Sequence, residues 1–125
     1  MIIATGIDLI EISRIAEVFA RQGERFRRRV FTETEIEYCE GRASRFASYA
    51  ARFAAKEAAM KALKTGWADG VAWHDIEVVR DEQGAPSLRL RGRALEVMTR
   101  LGATKTHLSL THSNDLAMAQ VILEA

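Results

Sequence analysis

The sequence has one cysteine and lacks the short motifs by which many enzyme classes are recognised. Cys39 stands alone among 125 residues, so the chain cannot form an internal disulfide and gives no indication of a zinc site. A single thiol suits a reducing compartment, and we expect a cytoplasmic location. The motifs GxxxxGKS/T, GxGxxG, HExxH, GxSxG and CxxC are all absent. The sequence therefore gives no support to a phosphate loop, a dinucleotide fingerprint, a zincin site, a nucleophile elbow or a paired-cysteine site.

Long hydrophobic runs and a basic leader are also absent. Met1–Ile10 is apolar, but Gly6 and Asp8 interrupt it and charged sequence follows directly, so we predict neither a signal peptide nor a membrane span. The chain carries 28% charged residues and a net charge of +1, which gives no global indication of nucleic acid binding. Its 125 residues, 48% of them hydrophobic, suffice for one core, and we predict a single domain over residues 1–125.

Positive charge is concentrated near the N-terminus. Residues 14–29 contain six arginines and two glutamates, an excess of four positive charges. From Glu11 onward the apolar residues recur at helical spacing, with a break expected near Gly23. If the helix continues past this glycine, several arginines form one stripe, which is either a solvated face or a docking surface for an acidic partner. These arginines are Arg14, Arg21, Arg25 and Arg28.

A segment without glycine or proline occupies the centre of the sequence. From about Ser44 to Lys64 most residues are good helix formers, and Gly66 follows as a candidate C-cap, so we predict a long helix. A rotation of about 100° per residue places Glu57 in the middle of the apolar stripe and Lys56 away from its centre. A buried carboxylate is costly unless a cation, a metal ion or several donors compensate it. We therefore expect such a partner for Glu57.

The remaining segments alternate between strand and helix patterns. Thr32 and Glu35 have the spacing of a capping box, and Gly6 marks a bend or a close approach of another element. The order of elements predicts an α+β fold, a mainly antiparallel sheet packed against a long helix. The other predicted elements are a buried strand over Met1–Ile10, a short helix from Thr32 to Gly41, a hairpin of Val71–Arg80 and Ser87–Arg91, a helix over Gly92–Leu101, and strands over Lys105–Ser113 and Leu116–Glu124.

Two carboxylates in predicted apolar surroundings, Asp8 and Glu57, accompany lysines on the long helix. Hard oxygen ligands beside ammonium groups suit a Mg²⁺ ion bound together with phosphate oxygens. Two other interpretations stay open. Asp8 can cap the helix that follows it, and Lys56 and Lys61 can pair with Glu57 or with solvent.

Two motifs and a late strand carry a resemblance to a known family. Residues 5–8 read TGID, with Arg14 six positions further on, and residues 53–62 read FAAKEAAMKA. Residues 109–113 read SLTHS. Together they closely resemble the two-part signature of the 4′-phosphopantetheinyl transferases, and in particular its short members that act on acyl carrier protein. The resemblance covers essentially the whole chain.

The resemblance implies transfer of the 4′-phosphopantetheine arm of coenzyme A to a serine of acyl carrier protein, with release of adenosine 3′,5′-bisphosphate. By position, Asp8 and Glu57 would hold Mg²⁺, and Lys61 would stabilise charge on the phosphate oxygens. The proton acceptor stays open between Glu57, Asp8 through water, and a metal-bound water. Without the resemblance, the position of His112 is equally consistent with a hydrogen-bonded core histidine and with a residue that contacts a ligand. The residues expected along the nucleotide are Arg52, Lys56, Lys64, Gly66, Pro86 and His112, with Lys64 the best candidate for the 3′-phosphate.

The resemblance also bears on partners. Acyl carrier proteins are small and acidic, so we expect Arg14, Arg21 and Arg25 to help dock them. The active form is expected to be a homotrimer with sites at subunit interfaces. An alternative from another class is a non-enzymatic binding module whose basic helix face holds an acidic protein or RNA. RNA is disfavoured, because aromatic residues are not interleaved with the arginines.

Overall fold

The computed structural model describes residues 1–66 and 69–125. The predicted loop over residues 65–70 therefore lies partly outside the described residues. The elements are β1 (Ile2–Glu11), α1 (Ile12–Gln22), α2 (Glu24–Val30), α3 (Glu33–Glu40), α4 (Arg45–Leu63), a 3-10 helix (Trp73–Asp75), β2 (Ile76–Arg80), β3 (Pro86–Leu90), α5 (Gly92–Arg100), β4 (Lys105–Ser113) and β5 (Leu116–Glu124).

Every strand pairing in the described part of the chain is antiparallel. β5 lies between β1 and β4 in a three-stranded sheet, and β2 and β3 form a separate hairpin. The predicted α+β class, with a mainly antiparallel sheet against a long helix, is confirmed, and β4 and β5 have the predicted bounds. None of the helices formed by residues 1–66 and 69–125 has the length and apolar character needed to cross a membrane.

Helix α4 packs directly on the sheet because small residues line both surfaces. A Cβ built on Gly6 of β1 would lie 1.9 Å from the Ala58 carbonyl oxygen of α4. Only glycine fits at this position, as the sequence predicted for a close approach. The contact brings the end of β1, which carries Asp8, next to α4.

The burial of α4 differs from the predicted single apolar stripe. One core cluster packs α4 against the sheet, the hairpin and α5, and a second packs it against α1, α2 and α3. Because neighbours cover both sides, most of the helix surface is buried. Glu57, predicted at the buried centre, is only half-buried, whereas Lys56, predicted away from it, is 0% exposed. The prediction was wrong for both side chains because it assumed one covered face.

Two further boundaries differ from those predicted. α4 ends at Leu63, and its C-cap is Lys64, whose backbone is left-handed with φ of 64°, rather than the predicted Gly66. β2 begins at Ile76 rather than at Val71, because Trp73–Asp75 forms a 3-10 helix. In both places local backbone geometry overrides the residue pattern.

The arginine-rich segment is not one continuous helix. Gly23 has φ of 54° and ψ of −127°, a conformation that ends α1 and lets α2 start in a new direction. The break predicted near Gly23 is confirmed, so the condition for one continuous arginine stripe is not met. Arg14, Arg21 and Arg25 are exposed on two helices, whereas Arg28 forms ion pairs with nearby glutamates.

A buried ion pair joins α3, α4 and β2. Lys56 Nζ lies 2.9 Å from a carboxylate oxygen of Glu35, and both side chains are 0% exposed. Lys56 also donates to the backbone carbonyls of Trp73 at 3.1 Å and Ile76 at 2.5 Å, and Glu35 accepts from the Val78 N–H at 2.7 Å. Burial lowers the pKa of Lys56, and the Glu35 carboxylate opposes that shift. All three ammonium protons have acceptors, which is the condition under which a buried pair is tolerated.

Thr32 extends this network to the hairpin. Its N–H donates to Glu35 at 2.8 Å and its hydroxyl oxygen accepts from the Glu35 N–H at 3.3 Å, so the predicted capping box is confirmed. The Thr32 hydroxyl also donates to Glu77 of β2 at 2.5 Å, and Arg91 donates to the same carboxylate at 2.6 Å. The start of α3 is thereby tied to β2 and to the residue that follows β3.

The single thiol lies in the core rather than at a reactive surface. Cys39 of α3 is 0% exposed. Burial raises the pKa of its thiol to about 12. Because thiolate is the reactive form of cysteine, this side chain is chemically inert at neutral pH.

Removal of Lys56 tests the energetic weight of the ion pair. Lys56→Met keeps the length of the side chain but leaves the Glu35 carboxylate buried without a cation, so we expect the free energy of unfolding to fall by about 3–5 kcal/mol. The double variant Lys56→Met/Glu35→Gln should lose less than the sum of the two single losses. Urea unfolding at fixed protein concentration measures both effects. Lys105→Met, at an exposed lysine of β4, is the control, and losses that simply add would contradict the pairing.

Candidate active site

Asp8 and Glu57, predicted as a pair, line the same pocket. Asp8 comes from β1 and Glu57 from α4, and Arg14 of α1 lines the pocket beside them. The pocket has a volume of about 350 Å³, and we call it the carboxylate pocket. Its apolar walls are Leu9, Ile10, Ile15, Val18, Phe26 and Phe53. The fold thus gathers residues that are distant in sequence and places them in apolar surroundings.

Lys61 supplies positive charge at the rim of this pocket. Its Nζ donates to an Asp8 carboxylate oxygen at 3.1 Å and to the Ile7 carbonyl at 2.8 Å. The Lys61 side chain is 55% exposed and that of Asp8 is 17% exposed, so the ammonium approaches from the solvent side. Asp8 is not a helix cap, because Asp115 accepts from the Ser13 N–H in the first turn of α1, at 2.9 Å.

The donor set of the carboxylate pocket fits Mg²⁺. Asp8 and Glu57 supply hard anionic oxygens. No group of three or more histidine, cysteine, aspartate or glutamate side chains that could hold a metal ion occurs within residues 1–66 and 69–125. Mg²⁺ is usually bound through one or two carboxylates and completes its shell with waters and substrate phosphates. A site of two carboxylates therefore suits an ion that arrives with a phosphate ligand.

A second pocket, lined by arginines and lacking carboxylates, lies on the other side of α4. Its volume is about 170 Å³, and Arg52, Pro86 and His112, three of the predicted nucleotide contacts, line it together. Arg52 and Glu57 are five residues apart, which corresponds to a rotation of about 140° around the helix. We call this cavity the arginine pocket. The other side chains that carry its charge and its aromatic surface are Arg42, Arg80 and Tyr38.

Arg52 is the buried cation of the arginine pocket. It is 6% exposed, and its Nε has no hydrogen-bond partner among the described residues. Its NH1 group makes only a long hydrogen bond to the Ser48 carbonyl, at 3.4 Å. A buried donor without a partner costs about 1–3 kcal/mol, so an anion bound in this pocket would remove that cost. The pocket therefore has the chemistry of a phosphate site.

Three predicted ligand residues lie in neither pocket. Lys56 is held in the buried ion pair described above, and its complete burial is not compatible with the predicted contact to coenzyme A. Lys64 and Gly66 are exposed beyond the end of α4. Lys64 is twelve residues from Arg52, about 18 Å along a helix, so the two side chains do not line one pocket within a single chain, and their contact with the nucleotide stays a prediction.

Sequence analysis missed three residues of the arginine pocket, Tyr38, Arg42 and Arg80. They come from α3, from the loop after it and from the end of β2, so no motif or spacing connects them. The position of Arg80 before the hairpin turn, opposite the predicted Pro86, is the one sequence feature that could have indicated it. Tyr38 had no such feature.

The outer face of the three-stranded sheet carries exposed apolar side chains. Leu9 pairs with Met118, and Met118 pairs with Thr111, so these residues form one row across the sheet. β1 was predicted to be a buried strand, but within one chain only its inner face is covered by α4. The large apolar residues on the outer face are Ile7, Leu9, Leu116 and Met118, with exposures of 53%, 58%, 43% and 36%.

The chain is similar over its full length to proteins of one family. The family model described as "4'-phosphopantetheinyl transferase superfamily" matches residues 4–121. The holo-[acyl-carrier-protein] synthase of Koribacter versatilis is 49% identical over 124 residues, which is 99% of this chain and 99% of that protein.

Solved structures agree with this similarity. The crystal structure of holo-[acyl-carrier-protein] synthase from Neisseria meningitidis superposes with a TM-score of 0.89 at 30% identity and covers 100% of both chains. The Helicobacter pylori enzyme in complex with coenzyme A has a TM-score of 0.84 at 29% identity, covering 96% of this chain and 99% of that one. The family match over residues 4–121, the shared fold and the paired carboxylates lead to one conclusion. The chain belongs to the 4′-phosphopantetheinyl transferase superfamily.

Proposed function

We propose that this chain transfers the 4′-phosphopantetheine group of coenzyme A to a serine of apo acyl carrier protein and releases adenosine 3′,5′-bisphosphate. The observation that carries the proposal is the carboxylate pocket, where Asp8, Glu57 and Arg14 meet. The similar full-length relatives are holo-[acyl-carrier-protein] synthases. The Helicobacter pylori synthase was solved in complex with coenzyme A. The proposed setting is the cytoplasm, where the product serves fatty acid and lipid synthesis.

In this proposal the two pockets divide the donor between them. The arginine pocket takes the nucleotide end, because Arg52 offers a buried cation and Pro86 and His112 complete the walls. The carboxylate pocket takes the diphosphate and the serine. Within one chain the pockets lie on opposite sides of α4, which favours a site completed by a second chain. In such a site Lys64 and Gly66, which follow the C-terminal end of α4 near Lys61, would contact the donor bound at the carboxylate pocket.

The reaction proposed at the carboxylate pocket uses charge that the chain holds in place. Asp8 and Glu57 would hold Mg²⁺, which when bound supplies charge stabilisation at the diphosphate. Lys61 adds its ammonium at the same rim, where it neutralises charge on phosphate oxygens. Glu57 and Asp8 are also the carboxylates that can accept the serine proton, directly or through water. The apolar walls limit competing water at the reacting phosphorus.

We propose that Arg14, Arg21 and Arg25 dock the carrier protein. All three are exposed, and Arg14 also lines the carboxylate pocket, so it lies where the carrier serine must arrive. An acidic carrier would be steered by these charges, which affects the association rate more than the final affinity. The break at Gly23 distributes the arginines over two helices, which widens the surface they cover.

We propose a homotrimer in which the outer sheet face is the contact between chains. Exposed contiguous apolar surface on a soluble protein marks an interaction site. The row formed by Leu9 and Met118 is such a surface. It adjoins the carboxylate pocket, because Leu9 also lines that pocket. A neighbouring chain seated here would lie beside the reacting groups.

Glu57→Gln tests the function and the metal site together. The change keeps the shape but removes the charge, so we expect kcat to fall by about 10²–10³-fold while the thermal unfolding midpoint stays close to that of the wild type. The assay follows the phosphopantetheine mass increment on apo carrier protein, with coenzyme A and Mg²⁺ each omitted in turn. Glu37→Gln, at an exposed glutamate of α3, is the control. Near-normal transfer by Glu57→Gln would exclude the metal assignment, and no transfer by the wild type would favour the binding module.

Arg14→Ala and Arg21→Ala test the docking surface. Each change should raise KM for the carrier about threefold to tenfold and leave KM for coenzyme A nearly unchanged, because the arginines steer the protein substrate. The wild-type KM for the carrier should also rise between about 0.05 M and about 0.5 M salt, as screening shortens the range of these charges. Arg89→Ala, at an exposed arginine of β3, is the control. A KM insensitive to salt and to both changes would identify a merely solvated helix face.

Met118→Lys tests the assembly. Light scattering of the wild type should give three times the 14.0 kDa of one chain, whereas a charge in the apolar row should shift the mass towards that of the monomer. Leu95→Lys introduces the same charge at an exposed leucine of α5 and should leave the mass unchanged. A wild type that is active as a monomer at the assay concentration would refute the trimer.

A further inference from the structure

Tyr38 of α3 lines the arginine pocket, and its ring contacts the three arginines of that pocket. The guanidinium carbon of Arg52 is 4.1 Å from the centroid of its ring, that of Arg80 is 5.2 Å away, and that of Arg42 is 5.4 Å away. The three arginines come from α4, from the end of β2 and from the loop after α3. One aromatic ring is therefore the common contact of three cations from three elements.

These cations have no anionic partner in the pocket. Its lining contains neither aspartate nor glutamate, so the three guanidinium groups repel one another at short range. The electron-rich face of an aromatic ring attracts a guanidinium group. Tyr38 thus opposes the repulsion and keeps the positive charge concentrated at one place.

The hydrogen bonds of Arg52 do not fix its orientation. Its Nε has no partner within the described part of the chain, and its bond to the Ser48 carbonyl is long, at 3.4 Å. Arg80 is better held, because its Nε donates to the Gly84 carbonyl at 2.9 Å. The Tyr38 ring is accordingly the contact that orients the buried guanidinium of Arg52 towards the cavity.

The chemistry of the pocket selects one part of the proposed donor. Coenzyme A carries a diphosphate and a 3′-phosphate. Each phosphorus of the diphosphate has two bridging oxygens and only two terminal ones, whereas the 3′-phosphate is a monoester. A phosphate monoester carries up to two negative charges and three terminal oxygens. Three guanidinium groups match that charge and number of acceptors better than they match either group of the diphosphate. Lys64, predicted for this phosphate, does not line the pocket.

We propose that Tyr38 is a positioning residue that aims Arg52, Arg80 and Arg42 at the phosphate monoester of the donor. The transferase thereby discriminates coenzyme A from 3′-dephospho-coenzyme A. This inference rests on the proposed function. It assigns to Tyr38 no contact with the reacting atoms. Its role is to set the preference between two donors that react at the same diphosphate.

The test compares the two donors in steady-state transfer to apo carrier protein. The wild type should prefer coenzyme A. In Tyr38→Leu the ratio of kcat/KM for coenzyme A to that for the dephosphorylated donor should fall about tenfold, through KM for coenzyme A, because the arginines lose their common contact. Tyr38→Phe keeps the ring and removes only the hydroxyl, so it should retain the wild-type ratio.

A second measurement avoids catalysis. Calorimetry should show that wild-type protein binds adenosine 3′,5′-bisphosphate more tightly than adenosine 5′-monophosphate, and that Tyr38→Leu reduces this difference. If Tyr38→Leu does not fold, Arg80→Gln, at an exposed position, must reduce the donor ratio in the same direction. An unchanged ratio in that variant would overturn the proposal.

Other outcomes are equally decisive. Equal losses with both donors in Tyr38→Leu would show a merely structural role and overturn the inference, as would a Tyr38→Phe variant that behaves like Tyr38→Leu. A wild type that transfers from both donors without preference would overturn the inference and leave the proposed function intact. A wild type that transfers from neither donor would refute the proposed function itself.

Discussion

The ion pair of Lys56 and Glu35 is the interaction on which the arrangement of the other elements depends. It is wholly buried, and it is tolerated because backbone carbonyls and amides complete both groups. Those backbone groups belong to the segment that leads into β2 and to β2 itself. Helix α4, helix α3 and the hairpin are therefore held in one fixed relation, since any displacement would leave a buried charge incompletely paired. The arginine pocket lies between these three elements and β4.

The neighbouring residues Lys56 and Glu57 show how the fold assigns different tasks to adjacent positions. Successive side chains on a helix differ by about 100° in direction. Lys56 points into the junction with the hairpin, and Glu57 points into the cavity between β1 and α1. Lys56 holds the framework, and Glu57 faces the carboxylate pocket. The motif that contains them joins a structural charge to one that we propose acts in the reaction.

The sequence predicted those features whose causes are local or periodic. The capping box of Thr32 and Glu35, the close approach at Gly6 and the bounds of β4 and β5 follow from short-range patterns, and the structure has them. The resemblance pointed to Asp8, Glu57 and Arg14, and all three line one pocket. The burial of Lys56 was missed because periodicity describes one covered face, whereas α4 is covered on both sides. Tyr38 was missed because its importance arises from arginines on other elements.

The alanine surface of α4 also limits how this protein can change. Ala54, Ala58 and Ala62 recur at every fourth position, and each is fully buried against a neighbouring layer. A larger side chain at any of them would push the helix away from its neighbours and shift both pockets at once. Adaptation to another donor or another carrier is therefore restricted to the shell around this helix, namely α1 to α3, the hairpin and the outer sheet face. The helix that contributes Glu57 and Arg52 to the two pockets is thus the element least free to diversify.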